Sequence, residues 1–303
     1  MQKTSTRSEP KTATALPGDL ARLARPSGAF AMLAIDQREA LRTMLADHDG
    51  RPVADAAVTA FKLAVTRILS PYASAVLLDR QFVWDQAVAT GVVAPDCALI
   101  AAADRFIPSS TEFVDSVEID NDVIPSAVSA QGAAALKLLV IWRADEPAEP
   151  RVRMIRAFVD RCRQAGLISI IEPVARPPRS GGPFDLNAGV IEAAKELGGL
   201  GADLYKAQVP SNGRGDEAMI RAACAQLTKA IASPWVVLSS GVEPNDFPRA
   251  VELACAEGAS GFLAGRAVWR PAIENSDREA ALAGDAADRL KRLCEVADRA
   301  MAR

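Results

Sequence analysis

Two lysines and a glutamate stand inside apolar runs, where charged side chains are out of place. Lys206 follows Leu204 and Tyr205 in GADLYKAQVP (201–210), Lys137 sits in ALKLLVIW (135–142), and Glu172 precedes Pro173 in LISIIEPV (167–174). Burying an ammonium or a carboxylate is costly unless the group is paired or changes its protonation state. Brought together, like charge and desolvation depress the pKa of one lysine and free an amine nucleophile. Such an amine adds to a ketone to give an iminium, an electron sink that lets the adjacent carbon–carbon bond break. The alternative is a structural Lys–Glu ion pair with no chemistry.

These residues need a scaffold that gathers them. From Ala29 onward, short apolar runs alternate with amphipathic stretches, the pattern of repeated βα units. The runs are 29–36, 74–79, 97–103, 135–142, 167–174, 202–209, 234–242 and 260–269. Their near-continuous hydrophobicity predicts burial on both faces, as in a parallel sheet covered by helices. Helices are predicted over ADAAVTAFKLAVTRIL (54–69), PRVRMIRAFVDRCRQAG (150–166), NAGVIEAAKELGGLGAD (187–203), NDFPRAVELACAEGAS (245–260) and roughly 276–301, several with a glycine at the end before the next strand. Eight such units predict an α/β fold, a (β/α)₈ TIM barrel in one domain over 18–303, with 1–17 as a flexible tail. An open doubly wound sheet is the runner-up, but no GxGxxG follows the first strand. Residues 104–134, polar and punctuated by proline, are predicted to form a long βα loop with a small hairpin.

Barrel chemistry sits at the C-terminal ends of the strands. Those positions hold Asp36, Gln37 and Arg38, then Asp79, Lys137, Glu172, Lys206, then Ser239, Ser240 and Gly241, then Gly265 and Arg266. Each has a structural alternative: Asp36 caps a helix, or Asp79 simply ends a strand. The LSSG and AGR segments, next to helix N-termini on the seventh and eighth strands, predict a phosphate cradle of backbone N–H groups at Ser240, Gly241 and Gly265 with Arg266 as cation. A nucleophilic lysine, an acid–base carboxylate and a phosphate cradle together describe a Schiff-base sugar-phosphate aldolase.

Composition narrows the alternatives. The chain has 303 residues, 35 basic and 38 acidic, for a net charge of −3 without a basic block, which argues against nucleic acid or an anionic membrane as partner. Its one histidine, His48 in ADHDGRP, excludes a His-rich zinc site, so a metal-dependent aldolase is not expected. Cys97, Cys162, Cys224, Cys255 and Cys294 lie far apart without CxxC spacing, which fits a reducing cytoplasm. No run reaches transmembrane length, and the polar opening MQKTSTRSEPKTATALPG has no apolar core of a secretion signal. No cofactor is implied, although a pyridoxal-binding lysine would look similar alone.

Seven segments carry a family resemblance: AMLAIDQREALR, ILSPYASAVLLDRQF, ALKLLVIWRADE, SIIEPVARPPR, GADLYKAQVP, WVVLSSGV and GASGFLAGRAVW. From Gly28 to Trp269 the chain resembles the sulfofructosephosphate aldolases, relatives of the tagatose-bisphosphate aldolases that use a lysine Schiff base. AIDQR and GFLAGRA belong to the wider family, whereas EPVARPPR and RQF lean toward the sulfosugar branch. The resemblance implies cleavage of 6-deoxy-6-sulfofructose 1-phosphate to dihydroxyacetone phosphate and sulfolactaldehyde, in sulfoquinovose breakdown, by a homo-oligomer. It matches Lys206 to the Schiff-base lysine, Glu172 to the proton shuttle and Lys137 to the neighbouring lysine. Asp36 and Gln37 match sugar-chain positions; Ser240, Gly241, Gly265 and Arg266 match the anion-binding turns. Arg176 or Arg179 in ARPPR, or Arg38, is the expected sulfonate contact, the alternative being that Arg176 and Arg179 lie on the surface. Which anion Arg266 holds stays open, since both substrate ends are anionic. The rivals are a tagatose or fructose bisphosphate aldolase, a sugar-phosphate isomerase or epimerase without covalent adduct, and a sugar-phosphate-binding regulatory barrel.

Overall fold

The computed structural model describes residues 19–302, so the expected tail at 1–17 lies outside the described residues. Ten strands run in chain order: β1 Phe30–Ala34, β2 Ala75–Leu78, β3 Ala98–Ala102, β4 Asp104–Ile107, β5 Ser116–Ile119, β6 Ala133–Trp142, β7 Ile168–Ala175, β8 Leu204–Ala207, β9 Trp235–Val237 and β10 Gly261–Ala264. Eight of them close a parallel barrel in the order β1-β2-β3-β6-β7-β8-β9-β10, with β10 pairing back onto β1. The predicted barrel is the fold observed.

Helices α1 (Glu39–Asp49), α2 (Asp55–Leu69), α3 (Trp84–Thr90), α4 (Pro125–Ala130), α5 (Ala148–Gln164), α6 (Leu186–Leu197), α7 (Glu217–Ala230), α8 (Phe247–Ala256), α9 (Arg266–Ile273), α10 (Arg278–Ala281) and α11 (Ala287–Met301) accompany the strands. The long C-terminal helix expected at 276–301 runs from Arg278 to Met301 with a π-helical turn at Leu282–Ala286 inside it, so α10 and α11 continue one another. The eighth apolar run also ends earlier than its hydrophobicity suggests. Gly265 stops the strand and α9 begins at Arg266, so Val268 and Trp269 are helical core residues. A Cβ at Gly265 would collide with the Ala34 carbonyl oxygen, which also accepts the indole N–H of Trp269 at 2.9 Å.

The period-2 alternation of strands sorts the core into two layers. Phe30, Met32, Leu77, Ile100, Ala135, Ile170, Leu204, Val236 and Leu263 fill the barrel interior, and the alternate residues pack outward against the helices. Two steps beyond Ala135, Ile170 and Leu204 on the same inward face come Lys137, Glu172 and Lys206. The alternation that fills the core therefore delivers all three charged groups to one end of the barrel. Strands β6 and β7 are longer than the rest and stay paired from Ala135↔Ile168 to Trp142↔Ala175, forming a wall above that end. The expected hairpin is β4–β5, antiparallel from Asp104↔Ile119 to Ile107↔Ser116. No helix among the described residues is long and apolar enough to cross a membrane.

Candidate active site

Lys137 is the most heavily held charge at the strand ends. Its Nζ lies 2.6 Å from Asp36 Oδ2, 2.7 Å from Asp104 Oδ2 and 3.2 Å from Glu172 Oε2. Burial alone would lower its pKa, but Asp104, Asp36 and Glu172 overcome that and raise it well above the usual lysine value. Lys137 therefore stays an ammonium. For Asp36 the opposition has the other sign. Burial pushes it up, while the ammonium groups of Lys137 and Lys206 outweigh burial and hold its carboxyl well below the usual range.

Asp104 is the residue that sequence reasoning missed. It is fully buried, accepts from Lys137 Nζ and from the Leu139 N–H at 3.0 Å, and takes 2.7 and 2.8 Å bonds from Arg38 Nη2 on its carbonyl and carboxylate. Arg38 in turn stacks on Phe106, its guanidinium carbon 4.1 Å from the ring centroid. A signal was present in the sequence, since Asp104 closes an apolar run as Asp36 and Asp79 close theirs.

Lys206, 3% exposed, has Glu172 Oε2 at 2.9 Å from its Nζ. That oxygen is within ion-pair distance of both lysines yet aligned for a hydrogen bond with neither, and it is buried without another partner. A carboxylate oxygen shared between two amines is placed to move a proton.

Above this cluster opens a cavity of about 950 Å³, lined by Asp36, Gln37, Arg38, Lys137, Glu172, Arg176, Ser240 and Arg266 among others. Leu139, Ile141 and Val174 form its apolar wall from β6 and β7. Gln37 Oε1, Arg38 Nε and Arg176 Nε are buried without partners, so polar groups from β1 and β7 are left for a ligand. Arg38, Arg80 and Arg105 are each tied to a carboxylate, Asp104, Asp122 and Glu118 respectively. Among the described residues Arg176 and Arg266 have no carboxylate within ion-pair distance. They are the cavity cations left for an anionic ligand.

Of the predicted anion turns, Ser240 and Arg266 line the cavity, whereas Ser239, Gly241 and Gly265 lie outside its lining. Arg266, at the first position of α9, donates from Nη2 to Ser240 Oγ at 2.5 Å. Burial lowers its pKa. Gly241 takes φ +79°, a conformation glycine adopts without a Cβ penalty. Ser239 Oγ, however, accepts the N–H of Gly265 at 3.3 Å and of Ala267 at 3.4 Å. Ser239 therefore binds the start of α9, and the Gly265 amide faces Ser239 rather than the cavity.

Residues 30–271 match the family described as DeoC/LacD family aldolase. The chain belongs to the DeoC/LacD aldolases. It is 29% identical over 287 residues to tagatose 1,6-diphosphate aldolase of Listeria monocytogenes, a match covering 84% of this chain and 81% of the relative. A fructose-bisphosphate aldolase of Plasmodium falciparum shares the fold at TM-score 0.67 and 13% identity, covering 97% and 98% of the two chains. An archaeal fructose-1,6-bisphosphate aldolase, solved with its catalytic lysine covalently bound to the carbinolamine intermediate, superposes at TM-score 0.61 and 14% identity, covering 92% and 98%.

In this aldolase two of the expected substrate contacts lie elsewhere. Asp79 is fully buried, pairs with the equally buried Lys62 of α2 and accepts the Phe82 N–H at 2.9 Å, so it holds the β2–α3 connection. Burial lowers the pKa of Lys62, against the opposing pull of Asp79. Arg179 is exposed and pairs with Asp115 and Glu146 at 2.7 and 2.6 Å, outside the cavity lining. With Arg143, which pairs with Glu112 and donates to the Pro177 carbonyl, it straps the hairpin loop to the β7–α6 loop. His48 lies exposed in the last turn of α1, and the five cysteines are buried and unbridged.

Proposed function

We propose that this aldolase works through a Schiff base on Lys206 and cleaves 6-deoxy-6-sulfofructose 1-phosphate to dihydroxyacetone phosphate and sulfolactaldehyde. The observation that carries the mechanism is the Glu172 carboxylate, within 2.9 Å of Lys206 and 3.2 Å of Lys137 but aligned with neither. Lys137 is held by three carboxylates, whereas Lys206 has Glu172 within ion-pair distance and is the residue assigned as nucleophile.

Glu172 takes the Lys206 proton as Nζ adds to the C2 ketone, then returns it to the carbinolamine hydroxyl, which leaves as water. As a carboxylate again it accepts the C4 hydroxyl proton while the C3–C4 electron pair moves into the iminium. The aldehyde departs, the enamine is protonated at C3, and hydrolysis releases dihydroxyacetone phosphate and restores Lys206. Lys137 and Asp36 hold substrate oxygens, and Ser240, Gly241 and Arg266 hold the C1 phosphate beside the start of α9.

The sulfosugar assignment rests on the EPVARPPR and RQF segments and on Arg176, a cavity cation with an unpartnered Nε. One arginine suits a monoanionic sulfonate better than a phosphate carrying nearly two charges. A second reading, cleavage of tagatose 1,6-bisphosphate, is supported by the names of the Listeria relatives. Cleavage rates on the two substrates decide between them: a higher kcat/KM for the bisphosphate would overturn the sulfosugar assignment and leave the Schiff base standing.

A further inference from the structure

Ser211 and Asn212, at φ 53° and 50°, are the positive-φ non-glycine residues among those described, and they stand next to each other. They lie five and six residues after Lys206, in the loop that follows β8. Left-handed backbone at two successive residues with side chains is strained, and it persists only where surrounding contacts impose it. Here they are visible. Asn187, in the first turn of α6, grips Ser211 from both sides: its Nδ2 donates to Ser211 Oγ at 2.8 Å, and its Oδ1 accepts the Ser211 N–H at 2.5 Å.

The strained turn is pressed into the segment carrying the anion turn at three points. The Asn212 carboxamide lies against Gly241, with Oδ1 2.5 Å from where a Cβ would be. Gly213 packs on Val242 and Ala250, a Cβ there meeting them at 3.4 and 3.0 Å. Arg214 reaches Glu243 at 3.5 Å and Asp246 at 3.4 Å. Each contact joins the loop after the nucleophile's strand to the segment that begins with Ser240 and Gly241. We propose that Asn187 and Asn212 are positioning residues, which set the affinity of this aldolase for the substrate phosphate without touching it. Asn187 enforces the strained turn, and Asn212 holds the Gly241 backbone at the conformation that faces the anion. The proposal rests on the reading that Ser240, Gly241 and Arg266 hold the phosphate of a Lys206 adduct.

The test is borohydride trapping of the full-length protein with two ketones, dihydroxyacetone phosphate and dihydroxyacetone, quantified by intact mass over a concentration series. Asn187→Ala and Asn212→Gly are expected to raise the half-saturating concentration of the phosphorylated ketone by roughly tenfold, the size of one lost well-placed contact. The unphosphorylated ketone should trap as in the wild type. Asn187→Asp, whose carboxylate accepts from both the Ser211 N–H and Oγ–H, should restore the wild-type ratio. Equal weakening for both ketones, or a ratio within twofold of wild type in both variants, would overturn the proposal. A wild-type protein that traps neither ketone would overturn the Schiff-base reading instead.

Discussion

Lys206 Nζ and Glu172 Oε2 lie 2.9 Å apart, with Glu172 lining the cavity and Lys206 buried beside it. The same oxygen also lies 3.2 Å from Lys137, which is anchored from its other side by Asp104 and Asp36, so Glu172 is shared between two amines. Glu172→Gln is accordingly expected to lower kcat by about 10²–10⁴-fold with little change in KM, since the amide cannot shuttle a proton. Steady-state kinetics on the cleaved ketose phosphate read this directly.

Asp104 sets that asymmetry. It has no exposed surface and satisfies Lys137, Arg38 and the Leu139 amide at once. Replacing it by alanine leaves two buried cations short of a partner, a change that typically costs about 3–5 kcal/mol. Denaturant unfolding should show that loss. Asp104→Asn should retain more stability yet still lower kcat, because Lys137 is then held less firmly.

The acid side of the stability profile follows from Asp36. Its folded pKa lies well below the ordinary aspartate value because Lys137 and Lys206 outweigh its burial. The stability it contributes is thus fully present above the unfolded pKa of about 4 and is lost as pH falls through the folded value. Lys137 is the mirror case: its raised pKa contributes stability below the unfolded lysine value of about 10.4, lost as pH rises through the folded one. Asp36→Asn should lower the urea midpoint at pH 7 and flatten its decline toward acid. An unchanged acid slope would contradict this origin.

Arg176 and Arg179 are three residues apart in ARPPR and are expected to behave differently. Arg176→Ala removes an unpartnered cavity cation and should lower kcat/KM for the proposed sulfosugar by about tenfold or more. Arg179 is an exposed partner of Asp115 and Glu146, so Arg179→Ala should leave kcat/KM within about twofold. Equal effects from both would contradict the placement.

Gly265→Ala forces a methyl group against the Ala34 carbonyl, where β10 meets β1. Overpacking of this kind costs about 1–3 kcal/mol or more, and here the neighbour is backbone, which yields least. A thermal midpoint equal to that of wild type would show that the barrel seam is softer than the structure implies.

The barrel and the meeting of its three charged groups were legible in the sequence for one reason: Lys137, Glu172 and Lys206 interrupt apolar runs, and strand periodicity then fixes the face on which they meet. Asp104 escaped because it opens a polar stretch, DRFIPSS, that reads as loop, although it begins the hairpin and points into the site. Asp79 shows the converse. It ends a strand as Asp36 does, yet a lysine seventeen residues earlier, Lys62, claims it from helix α2, and no local pattern announces that pairing. The strain at Ser211 and Asn212 was equally invisible, because PSNG reads as an ordinary turn until Asn187 is seen gripping it.

The most direct test of the account is borohydride reduction in the presence of dihydroxyacetone phosphate, followed by peptide mapping. One reduced adduct is expected, on Lys206, absent from Lys206→Ala and still formed, more slowly, in Glu172→Gln. An adduct on Lys137, or none in the wild-type protein, would contradict it.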